Sequence, residues 1–272
     1  LDNVRFQYAT GEEVLHGVDL EIKRGQTLAL VGATGAGKST IVKLLGRFYD
    51  PSGGAVRWDG HDLRDFNLQD LRRRIAYVPQ QTFLFSDTLG HNIALGPGRE
   101  EQAKAAAEAV RADSIAKDLP EGYDQLLGER GHDLSAGERQ LVSFARALAS
   151  DPELLILDEA TANIDGETEE RIQQALETLL ADRTAVVIAH RLSTIKQADQ
   201  IVVLHKGRVA ERGRHDELLE QRPHTPDVEF DDGAMDAFDA ALKRAAEPHK
   251  PSPADTSTQP LAEDSDDDGY GD

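Results

Sequence analysis

The chain has 272 residues and a formal charge of −20. It has no cysteine and no apolar stretch near the roughly 18–20 residues of a membrane helix. It therefore forms no disulfide or thiolate metal site, and no segment is expected to enter a bilayer unaided. Its acidity disfavours nonspecific binding to nucleic acid or to an anionic lipid surface. No signal-peptide pattern is present.

The charge is uneven. Residues 223–272 carry 14 acids and 3 bases (Lys243, Arg244, Lys250), a net of −11, which leaves −9 for the preceding 222. This segment is rich in Pro, Ser, Asp and Ala, and buries too little apolar surface to offset the entropy of ordering it. Met235, Phe238 and Leu242 stand at helical spacing, as either a transient helix in a solvated tail or a short docking element. Two units are expected: a body at 1–222 and an acidic, mostly disordered tail at 223–272.

In the body, Val4, Phe6 and Tyr8 alternate with polar residues, and Val18, Leu20 and Ile22 repeat the pattern, predicting antiparallel strands. Residues 28–31 form a short continuous apolar run, the mark of a strand buried on both faces. Ile41, Val42, Leu44 and Leu45 give the next segment a helical stripe, and a Pro-Ser-Gly-Gly break at 51–54 leads into a strand at 55–58. Helices are expected at about 67–75 and, Ala-rich, at 100–117, then at 135–150 and 167–180. Further buried strands fall at 154–157 and 185–189. The expected fold is α/β: a mostly parallel sheet with helices on both faces, a small antiparallel lobe from the early strands, and a helical lobe inserted between about 67 and 150.

Two segments carry chemistry. Gly32, Ala33, Thr34, Gly35, Ala36, Gly37, Lys38, Ser39 and Thr40 follow the buried strand at 28–31 and precede a helix. The glycines permit tight turns, so that backbone N–H groups can wrap phosphates at the helix N-terminus. Lys38 would reach the outer phosphates. Farther on, the strand at 154–157 ends in Asp158 and Glu159. Ser39 and Asp158 would hold Mg²⁺ directly or through water. Side chains alternate at a strand end, so while Asp158 faces the metal Glu159 can face a water beyond the γ-phosphate, as candidate general base. Together they describe a P-loop NTPase site for ATP.

A phosphate loop does not choose among kinases, GTPases, helicases and transporters. Asp133-Leu134-Ser135-Ala136-Gly137-Glu138-Arg139-Gln140 does, because it resembles the LSGGQ signature of ATP-binding cassette (ABC) proteins. Other positions are similar to the same family. Tyr8 resembles the aromatic that stacks on adenine, Gln80 the Q-loop glutamine, Asp165 the D-loop acid and His190 the switch histidine. The resemblance implies catalytic roles for Glu159, His190, Gln80 and Lys38, and a metal set of Ser39, Gln80 and Asp158. It also implies that Ser135, Gly137 and Asp165 act on ATP held by a second cassette, in a homodimer or heterodimer paired head to tail.

Leu127-Gly128-Glu129-Arg130-Gly131 looks like the loop by which ABC exporters touch coupling helices. Because the chain opens on Leu1 inside a strand-like pattern, a membrane domain of six helices is expected upstream, with the cassette at the cytoplasmic face of the membrane. A soluble ABC ATPase acting on DNA or ribosomes would need a coiled coil or tandem cassettes, and no nucleic-acid partner is expected. An importer's separate ATPase subunit would normally begin with Met and lack the loop at 128–131. Two departures stand out: Ala136 where the family usually has Gly, and Glu138 where it often has Gln. A methyl at 136 is expected to crowd the phosphate-facing turn.

Overall fold

The computed structural model describes residues 1–221 apart from 10, 97, 129–130, 159–165 and 190–191, with backbone only at 166, 167, 192, 193 and 221. The chain starts with β1 (Asp2–Gln7) and β2 (Glu13–Val18), then passes through β3 (Thr27–Val31) into α1 (Lys38–Leu45). After β4 (Gly53–Ala55), β5 (Arg57–Trp58) and β6 (His61–Asp62) form a small hairpin, followed by α2 (Leu68–Arg73) and β7 (Ile75–Val78). Four helices come next: α3 (Leu89–Ala94), α4 (Glu100–Ala109), α5 (Asp113–Asp118) and α6 (Ala136–Ala149). The chain then alternates β8 (Leu154–Asp158), α7 (Gly166–Leu180), β9 (Thr184–Ile188) and α8 (Leu192–Gln197). It closes with β10 (Gln200–His205), β11 (Arg208–Gly213) and α9 (His215–Gln221).

The central sheet has the order β11-β10-β3-β9-β8-β7, parallel throughout except for the edge strand β11. Its middle strands read as unbroken apolar runs because both faces are covered. Along β8, Leu154 and Ile156 join the core beneath α1, while Leu155 and Leu157 join the core of the helical layer. In β3, Leu28 and Leu30 face the first of these cores, and Ala29 and Val31 face a third built with Ile195 and Leu218. A second sheet, β2-β1-β4, is antiparallel and forms the small lobe.

Several expected elements take a different shape. The second strand ends at Val18, and Leu20 and Ile22 lie beyond it. Leu20 is nevertheless buried and exchanges backbone hydrogen bonds with Leu1, which accounts for its apolar pattern without a strand. The helix expected at 100–117 breaks into α4 and α5, with Arg111 in the left-handed region at φ 58°. Val110 and Ala112 are both buried, and an unbroken helix would point residues two apart to nearly opposite sides.

Likewise the helix expected at 67–75 stops at Arg73 so that Ile75 can open β7 against β8. The helical insertion therefore begins after β7 rather than at Asn67. The hairpin β10–β11 was not anticipated. Among the described residues no helix is long and apolar enough to cross a membrane. The expected tail and its 234–246 helix lie outside the described residues, as do Glu129 and Arg130.

Candidate functional site

The loop between β3 and α1 is shaped by three glycines with positive φ. At Gly32 (φ 146°) a Cβ would stand 2.3 Å from the Leu204 carbonyl oxygen, so only glycine lets the chain leave β3 so close to β10. Gly37 (φ 105°) caps α1, and a Cβ there would meet Leu15 Cδ2 at 2.6 Å. Gly35 (φ 84°), by contrast, faces open space, with nothing within 4 Å of its Cβ position. The loop is thus packed behind and open in front.

The N-terminus of α1 has no side-chain cap and no acid in its first turn. Its free N–H groups and the positive end of the helix dipole are left for an external anion. Lys38 Nζ donates to the carbonyls of Gly32 (2.6 Å) and Ala33 (2.9 Å), which folds the side chain back over the loop. Burial lowers the Lys38 pKa, and the nearby Asp158 carboxylate opposes that shift. Ser39 is exposed and Thr40 buried.

The parallel register brings other predicted residues to the same edge. Val78 pairs with Leu157 and Asp158 with Ile188, so β7, β8 and β9 all end at the sheet edge from which the loop leaves β3, with β9 next to it and β7 farthest. Asp158 closes β8, half-buried, and the exposed Gln80 lies two residues past β7. Glu159, Asp165 and His190 lie outside the described residues. Ser39 and Asp158 are hard oxygen donors, the kind Mg²⁺ prefers. Among the described residues no group of three or more His, Cys, Asp or Glu could hold an ion by itself. A Mg²⁺ here would be completed by phosphate and water, and the donor set fits that use.

Tyr8 lies just past β1, half-buried, with its hydroxyl 3.2 Å from Thr40 Oγ1. Its ring packs edge-on against Phe6 (4.8 Å) and Tyr49 (5.4 Å). A cavity of about 490 Å³ opens beside it, lined in part by Val14, His16, Gly35, Lys206 and Gly207. The last two form the turn of the β10–β11 hairpin, which sequence reading missed. Gly207 donates to the Ala36 carbonyl (3.1 Å) and accepts from the His16 amide (2.9 Å), linking the phosphate loop to β2. The Lys-Gly pair was the available signal, because a two-residue turn with φ > 0 at both positions favours glycine.

Tyr77 was also missed. Its hydroxyl donates to Asp158 Oδ2 at 3.4 Å, and burial, then the Asp158 charge, pushes its pKa up to about 12. The phenol therefore stays protonated and remains the donor.

Ser135 and Gly137 belong to the helical layer. Ser135 caps α6 in a capping box: its hydroxyl accepts from the Glu138 amide (3.2 Å), and its own amide donates to the Glu138 carboxylate (2.7 Å). That box is a local reason for Glu at this position. A Cβ on Gly137 would fall 2.2 Å from Thr168 Cγ2, so glycine here lets α6 approach α7. Ala136 is already in the helix and is not a positive-φ residue. A methyl at 136 therefore brings no left-handed backbone strain.

A glycine loop at an uncapped helix, beside an acid that ends the neighbouring strand but one of a parallel sheet, defines a nucleotide-binding P-loop protein. The model of the family described as ABC transporter matches residues 15–162. The chain belongs to that family, and is its ATP-binding, ATPase domain.

It is 54% identical over 220 residues to an uncharacterized ABC transporter ATP-binding protein, YknV, of Bacillus subtilis, covering 80% of this chain and 36% of that protein. It is 51% identical over 227 residues to an ATP-dependent lipid A-core flippase of Alkalilimnicola ehrlichii, covering 82% and 38%. The solved structure of a bacterial Atm1-family ABC exporter with ATP bound aligns with a TM-score of 0.77 at 41% identity, over 92% of this chain and 42% of that one. The chain thus spans little more than a third of the length of these curated relatives.

Proposed function

We propose that this chain is the motor domain of an exporter, converting ATP binding and hydrolysis into movement of a membrane domain. The observation that carries the reading is the phosphate loop with its uncapped α1 N-terminus beside Asp158, in a chain whose named relatives include a lipid flippase and an exporter. The body at 1–222 is the cassette, and 223–272 is an appended acidic tail.

In this reading the loop amides and Lys38 bind the phosphates, so Lys38 must exchange the carbonyls of Gly32 and Ala33 for phosphate oxygens. Tyr8 receives the adenine. Ser39, Gln80 and Asp158 would hold Mg²⁺, which would supply positive charge to offset that of the triphosphate. Glu159 accepts a proton from the attacking water, and His190 and Gln80 orient the γ-phosphate side. Ser135, Gly137 and Asp165 meet ATP held by a second cassette. Coupling helices of the membrane domain pass the closure onward at the cytoplasmic face of the membrane.

The test is Glu159→Gln in the full chain. Loss of a general base costs about 10²–10⁴-fold in turnover. The variant should keep Mg²⁺-dependent ATP affinity and accumulate as an ATP-bound dimer. Hydrolysis at the unmodified rate refutes the assignment.

A further inference from the structure

β7 and β8 are parallel neighbours in which Tyr77 pairs with Ile156. Asp158, two residues beyond Ile156, therefore shares a sheet face with Tyr77, on the diagonal that long side chains can span. The phenol uses that diagonal: its hydroxyl reaches Asp158 Oδ2 at 3.4 Å. Ring placement is also set from behind. Phe48, just beyond α1, packs edge-on against Tyr77 at 5.9 Å, and the Arg72 guanidinium sits 5.7 Å from the centre of the Phe48 ring. Phe48 is 51% exposed and Tyr77 38%, so neither ring is there to fill the core.

We propose that Tyr77 is a positioning residue for the metal-binding carboxylate, its hydroxyl fixing the rotation of Asp158 so that Oδ1 is left for the ion. This rests on the reading above that Asp158 holds Mg²⁺. A carboxylate with a free χ2 loses orientational entropy when it takes up an ion, and a donor on one oxygen removes part of that cost beforehand. Partners that orient metal ligands in this way typically carry about 10–100-fold in metal affinity. A long hydrogen bond to a partly exposed phenol belongs at the low end, about tenfold.

Tyr77→Phe in the full chain isolates the hydroxyl, because the ring and its contact with Phe48 remain. The readout is binding of a fluorescent N-methylanthraniloyl ATP, titrated first in EDTA and then against MgCl₂ at fixed nucleotide. Binding in EDTA should match the unmodified chain, while the MgCl₂ concentration for half-maximal effect should rise about tenfold. Tyr77→Leu, which also removes the ring, should shift it as far. An unchanged MgCl₂ midpoint in Tyr77→Phe overturns the inference. So does an equal loss of affinity with and without MgCl₂, since a merely structural role would produce that. If the unmodified chain itself shows no MgCl₂ dependence, the proposed function fails first.

Discussion

Substituting Gly207 by alanine tests whether the β10–β11 hairpin holds the phosphate loop. Gly207 is buried at φ 74°, and an added Cβ would stand 2.1 Å from the Val14 carbonyl oxygen and 2.9 Å from its carbon. Backbone cannot swing aside as a side-chain end can, so relief requires Gly207 to move. That movement breaks its hydrogen bonds to Ala36 and His16. The left-handed conformation costs alanine about 1–2 kcal/mol, and two lost hydrogen bonds cost about 1 kcal/mol each, roughly 3–4 kcal/mol together. For a domain of this size each kcal/mol lowers the melting temperature by about 2–4 °C, so a fall of roughly 6–16 °C is expected.

Gly60 supplies the control. It turns the β5–β6 hairpin at φ 84° with nothing within 4 Å of its Cβ position, so Gly60→Ala meets the conformational term alone. Its cost should be about 1–2 kcal/mol, a fall of roughly 2–8 °C. Calorimetry of both variants, with ATP affinity measured alongside, separates strain from clash. Affinity should fall only in Gly207→Ala, where the Ala36 carbonyl loses its partner. Equal melting temperatures in the two variants would refute the reasoning.

Two other substitutions probe the remaining structure. Asn92 is fully buried; its side chain accepts from the Phe85 amide (2.8 Å) and from Arg146 (3.1 Å), and donates to the carbonyls of Phe85 and Thr88 (both 3.0 Å). Asn92→Ala strands these groups and should cost about 3 kcal/mol in urea unfolding at an unchanged m-value; a change under about 0.5 kcal/mol would contradict that role. Asp62 is held down to about 2 by its hydrogen bonds with the Arg64 side chain and then the Arg64 amide. A lowered carboxylate stabilises the fold above its unfolded pKa near 3.8 and loses that contribution as pH falls towards 2. The stability gap between the unmodified chain and Asp62→Asn should therefore be constant above about pH 5 and close in acid, as read by unfolding midpoints across that range.

Local sequence settled the parts of this protein whose chemistry is local. The glycines of 32–40, the run at 28–31 and the acid after 154–157 must sit where a turn, a doubly covered strand and a strand end require them. Each is legible from a few neighbouring residues. Only the tertiary structure decided what depends on partners distant in the chain. Four residues at 75–78 become a strand because β8 offers an edge. The turn at Lys206-Gly207 matters because it lands on Ala36, and Tyr77 because parallel register sets it diagonally from Asp158. The helical conformation of Ala136 likewise follows from where the capping box starts α6. Periodicity and motif report the demands a segment makes on itself, whereas register, close approach and hydrogen-bond partners across the sheet are set only when the layers pack together.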